Sequence, residues 1–96
     1  MINKTTLTNI CVIHSKSKAW KEVLKYSDEA LLTDPNYPKA LYHKGRALIE
    51  LTEYTKGIET LKQAARVDSG NSEIQKEISR AEQMLKKFQN SEAKMF

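Results

Sequence analysis

Apolar positions recur along the chain in steps of three and four, the spacing of a single helix face. Leu7, Ile10, Cys11 and His14 share such a face on a first predicted helix, about Lys4 to Lys16. A short polar turn, Ser15 to Lys18, leads into a second helix from about Ala19 to Thr33, with Trp20, Val23, Leu24, Ala30 and Leu31 as its apolar residues. "TDPNYP" ends it, because a proline biases the residue before it away from helix. Pro38 fits the first turn of a third helix, where it has no hydrogen bond to lose, and that helix runs to about Leu51. "TEY" turns the chain into a fourth helix, about Tyr54 to Val67. Gly70 in "DSGNS" is expected to cap its end, and Ser72 with Gln75 reads as a capping box for a fifth helix. On that fifth helix Ile74, Ile78, Ala81, Leu85 and Phe88 form one stripe, whose first half is expected to dock on the fourth helix. The fold class is all-α: two helix–turn–helix units and a long C-terminal helix, divided at 1–36, 37–71 and 72–96.

The two units repeat. Sliding the chain along itself until Trp20 falls on Tyr54 also brings Leu24 onto Ile58, Ala30 onto Ala64, Asp34 onto Asp68 and Cys11 onto Gly45. Recurrence at one fixed period is the mark of stacked helical repeats. It also explains Gly45, which lies inside a helix where glycine costs about 1 kcal/mol relative to alanine. Gly45 and Cys11 are small where a neighbouring helix must come close, and Gly57, Ala30 and Ala64 are expected to serve the same end.

Composition narrows the class. The 96 residues hold only 3 Gly and 2 Pro, and 29% are charged, which suits helices. A formal net charge of +4, with the signs interleaved, is a mild bias towards acidic partners and argues against nucleic acid as the ligand, since no aromatics interleave with the cations. The longest apolar run, Ile10 to Ile13, is too short to span a bilayer. The single cysteine, Cys11, reads as a core residue, and with no signal peptide it suggests an intracellular protein. The chain opens in mid-pattern, so we expect a piece of a longer protein, with Met1 supplied by its expression vector.

In its second unit, Leu41, Lys44, Gly45 and Leu48, followed by Gly57, Leu61 and Ala64, the chain resembles the tetratricopeptide repeat (TPR). The first unit keeps Trp20, Ala30 and Pro35 but has Cys11 at the glycine position. Together, "NICVIHSKSKAW", "ALLTDPNYPKALYHKGRAL" and the closing "KMF" resemble the C-terminal TPR domain of large immunophilins, the FKBP-type and large cyclophilin-type prolyl isomerases. That resemblance implies a cytoplasmic, and also nuclear, co-chaperone. Its isomerase domain and first repeat would lie outside this chain.

It also implies a site. In such repeats the first helix of each pair lines a groove. Lys39, Tyr42, His43 and Arg46 share one strip of the third helix, and Thr5, Thr8, Asn9 and Val12 the equivalent strip of the first. The family grips the C-terminal carboxylate of a heat-shock chaperone of the ninety- or seventy-kilodalton class, ending in EEVD. Asn9 and Lys39 match two of its clamp positions. His43 stands where arginine is usual, and Arg46, three residues on, is a candidate substitute. Thr5 and Tyr42 are expected to line the groove. A histidine clamp would bind more tightly as the pH falls through about 6.5.

Other readings rest on less. "QMLKKFQNSEAKMF" is basic and amphipathic, which suits calmodulin or a partner helix. A generic TPR scaffold without a clamp is the main rival. Two repeats and one helix make a short stack, so the first helix should expose an apolar flank that dimerisation, crystal contacts or a swapped helix would cover. His14 and His43 lie on separate helices with no nucleophile, and no metal-ligand spacing or phosphate loop occurs; neither an enzyme nor a cofactor is expected.

Overall fold

The computed structural model describes residues 2–94. The "KMF" ending therefore lies partly, and Met1 wholly, outside them. Five helices follow one another: α1 (Lys4–Lys16), α2 (Trp20–Thr33), α3 (Pro38–Glu50), α4 (Tyr54–Val67) and α5 (Ser72–Lys94). The displacement that carries Trp20 onto Tyr54 carries both ends of α1 onto those of α3, and both ends of α2 onto those of α4, so the sequence period is also the structural one. The molecule is elongated, 51 × 28 × 20 Å. α1 packs on α2 and α3 on α4 as hairpins; α3 also touches α1 and α2, and α5 lies against α4 and α3.

The core follows the predicted stripes. Cys11, Val23 and Ala47 form one buried cluster and Leu7, Ala30 and Ala40 another, each joining the first hairpin to α3. A larger cluster runs from Leu41 and Ile49 through Ile58, Leu61 and Ala64 to Ile74, Ile78 and Ala81. So α5 docks through its first half, while Phe88 further along is 47% exposed beside Tyr54, ring centroids 5.7 Å apart. The small residues sit where expected: Ala30 and Ala64 are fully buried, and Leu61 packs directly on the bare backbone of Gly45. The expected apolar flank of α1 is present: Ile13 is 64% exposed and Ile10, on the same face, half-buried.

The hairpin turns hold a feature the pattern did not foretell. Lys18 (φ 59°) and Thr52 (φ 67°), equivalent positions of the two units, take the left-handed conformation. Each follows a helix in a Schellman arrangement. The Lys18 and Ala19 N–H groups donate to Ser15 and His14 carbonyls, and those of Thr52 and Glu53 to Ile49 and Leu48. Two expected caps are corrected. Gly70 has no left-handed role: the C-cap of α4 is Asp68, whose N–H donates to the Ala64 carbonyl. The N-terminal cap of α5 is Asn71 rather than Ser72, because the Asn71 Oδ1 accepts from the N–H groups of Glu73 (2.9 Å) and Ile74 (3.3 Å).

Candidate functional site

α3 runs between α1 and α5, and a concavity of about 440 Å³ opens along it. Thr8, Asn9 and Val12 of α1 form one wall; Pro38, Lys39, Tyr42 and His43 of α3 form the floor; Asp68, Asn71, Glu73 and Ile74 close the far side. Helical spacing sets the first two groups: Asn9 lies one residue from buried Thr8, and Lys39 one residue from fully buried Ala40, so both line the concavity while staying exposed. Thr8 is held by its own helix, its hydroxyl donating to the Lys4 and Thr5 carbonyls. Lys44, on the other side of α3, is occupied elsewhere, 2.8 Å from Asp28 of α2.

Of the six residues singled out from the sequence, the structure brings Asn9, Lys39, Tyr42 and His43 to this one concavity. Thr5 is exposed and lies a turn before Thr8 and Val12, which line the concavity with Asn9. Arg46 is placed apart from Asn9, Lys39, Tyr42 and His43. It lies one turn further along α3, in a neighbouring concavity, with its guanidinium carbon 5.6 Å from the centre of the Trp20 ring. The acidic residues Asp68 and Glu73 went unread in the sequence. Glu73 follows Lys39 by one period, so the repeat itself would have shown a carboxylate at the lysine position of α5.

His43 departs most from expectation. Burial lowers its pKa to about 4, and the positive charges of Arg46 and, less, Lys39 push in the same direction. The ring stands edge-on to Tyr42, and its Nδ1 is buried without a hydrogen-bond partner. His43 therefore presents a neutral imidazole to the site at pH 7, and a charge switch near 6.5 is not built into it. Tyr42 is half-buried against the α3–α4–α5 core, so it packs more than it projects. Chemically, the concavity is lined by a lysine ammonium, the amide of Asn9 and two carboxylates.

No family model matches the chain. Among curated proteins it is similar to FK506-binding protein 59 of Drosophila melanogaster, 28% identical over 95 residues, which is 99% of this chain and 22% of that protein. It is also similar to the inactive peptidyl-prolyl cis-trans isomerase FKBP6 of Equus caballus, 29% identical over 89 residues, covering 93% of this chain and 28% of the relative. The Mus musculus protein of the same name gives 28% over 89 residues. The chain thus spans about a quarter of the length of the curated relatives it matches. The resemblance to large immunophilins of the FKBP type, read from the repeat residues, stands. Every regular element among the described residues is an α-helix. Among the described residues no helix is long and apolar enough to cross a membrane.

Proposed function

We propose that the chain is a TPR-type protein-interaction module of an immunophilin co-chaperone. Its two repeats would be 1–36 and 37–71, with 72–96 as the extension, and its ligand the carboxylate tail of a heat-shock chaperone ending in EEVD. The supporting observation is that Asn9 of α1 and Lys39 of α3 line one concavity with exposed ends. A terminal carboxylate needs converging donors. The lysine contributes charge-assisted hydrogen bonds, each worth roughly 1.5–3 kcal/mol, and the asparagine amide fixes orientation. Asp68 and Glu73, which also line the concavity, would repel an acidic tail, so the carboxylate is expected beside Asn9 and Lys39. Such a role places the protein in the cytoplasm or nucleus. Fluorescence titration with an EEVD peptide, and with the same peptide amidated at its C-terminus, tests this. Loss of most affinity on amidation is expected; equal affinities would leave a generic groove.

The second reading, a scaffold that self-associates without a clamp, draws on the exposed Ile13 flank of α1 and on Leu32 of α2, 85% exposed. Concentration-dependent sedimentation would support it. Calmodulin or another helix at α5 is the weakest reading, resting on the exposed Phe88.

A further inference from the structure

The repeat supplies an internal comparison. Arg80 of α5 lies one period after Arg46 of α3. The Arg80 guanidinium donates to Glu77 of its own helix (3.0 and 3.2 Å) and to Glu50 at the end of α3 (3.0 Å). Moved back by one repeat, those partners become His43 and Lys16. Arg80 meets two carboxylates where Arg46 meets an imidazole and a second cation. Among the described residues Arg46 has no ion pair, and its Nε is buried without a hydrogen-bond partner.

Arg46 is not alone. Three side-chain polar atoms are buried and unpaired among the described residues: Arg46 Nε, His43 Nδ1 and Ser15 Oγ. All three belong to residues around a single concavity of about 200 Å³ between α1 and α3, completed by Val12 and Lys16. No carboxylate lines it. The Ile13, His14 and Ser15 carbonyls at the end of α1 already accept from Ser17, Ala19 and Lys18. Buried polar groups are ordinarily paired, and here three unpaired ones belong to residues that ring one positive concavity. The Trp20 ring, over the Arg46 guanidinium, holds that cation in place.

We propose that this concavity is an oxyanion site, taking a phosphoryl dianion where the next repeat supplies two carboxylates to its arginine. Phosphate carries about −1.5 to −2 charge at pH 7 and three acceptor oxygens. It matches the two permanent cations Arg46 and Lys16 and the Ser15 hydroxyl. The phosphoryl group comes either as free phosphate or on the side chain of a peptide in the adjoining concavity, which shares Val12 and His43 with this one. The site stands on its own geometry and does not need the carboxylate clamp at Asn9 and Lys39.

Amide and arginine side-chain NMR shifts of the whole chain, titrated with inorganic phosphate at constant ionic strength, test the proposal. Saturable shifts at Ser15, Lys16, His43 and Arg46 are expected, at least tenfold weaker in Lys16→Glu. Lys16 is exposed, so that variant keeps the fold, and it restores the carboxylate present at position 50. A phosphoserine peptide that binds the same residues at least tenfold more tightly than its unphosphorylated form identifies a peptide source; equal binding of the two peptides, with phosphate still bound, identifies the free ion. Absence of saturable phosphate shifts, or shifts unchanged by Lys16→Glu, would overturn the proposal.

Discussion

Gly45 of α3 and Gly57 of α4 face one another backbone to backbone. A methyl group on Gly45 would stand 3.2 Å from the Gly57 carbonyl oxygen, and one on Gly57 would stand 3.0 Å from that of Gly45. The same Gly45 methyl would lie 2.6 Å from Leu61 Cγ, inside any real contact. The close approach of the two helices positions α3, and with it Lys39 and His43.

Gly45→Ala therefore sets two effects against each other. Alanine gains about 1 kcal/mol of helix propensity. Overpacking against Leu61 and the Gly57 backbone costs about 1–3 kcal/mol, and the branched Leu61 Cγ, close to its own helix, has little freedom to give. Net destabilisation is expected. Urea unfolding followed by circular dichroism would show a lower midpoint for the variant; a higher midpoint would mean the helices can part freely.

Thr52 gives the opposite sign. A β-branched residue at φ 67° is strained by about 1–2 kcal/mol, because its Cβ crowds the following carbonyl. Thr52→Gly relieves that, less the extra unfolded-chain entropy of glycine. The expected gain is about 0.5–1 kcal/mol in the same unfolding experiment, and an unchanged or lower stability would refute the strain.

For His43 the pH dependence follows from its lowered pKa. The unfolded side chain titrates near 6.5 and the folded one at about 4. Between those values the unfolded chain binds more protons, so stability falls as the pH drops through that window and this group has no effect above it. At pH 5 the loss relative to pH 7.5 is about 2 kcal/mol greater than in His43→Gln. Parallel unfolding curves of the two proteins at both pH values measure the difference; equal losses would show that His43 titrates normally.

The helices were legible because two independent signals agree at every boundary of the first four, the apolar stripe and the echo of one unit in the next. What escaped the sequence has physical causes. Asn71 rather than Ser72 caps α5, since both are good caps and only the turn geometry decides between them. Lys18 and Thr52 occupy a conformation that sequence assigns to glycine, because tertiary closure of the hairpin overrides local preference. Helix register gave the strips that carry Asn9 and Lys39, and the resemblance to the repeat family set those strips together. Arg46 could not be separated from their concavity that way, as a strip on one helix says nothing of where a groove is divided. The same shift, carried into the fifth helix, aligns Arg80 with Arg46 but does not show its pairing with Glu77 and Glu50, whose equivalents are His43 and Lys16.

The sharpest measurement is a double comparison by calorimetry: wild type and Lys39→Ala, each titrated with an EEVD peptide bearing a free or an amidated C-terminus. If the Lys39 ammonium holds the terminal carboxylate, each change alone weakens binding at least tenfold, and amidation has almost no further effect once Lys39 is gone. Equal sensitivity to amidation in both proteins would place the carboxylate elsewhere and contradict the clamp.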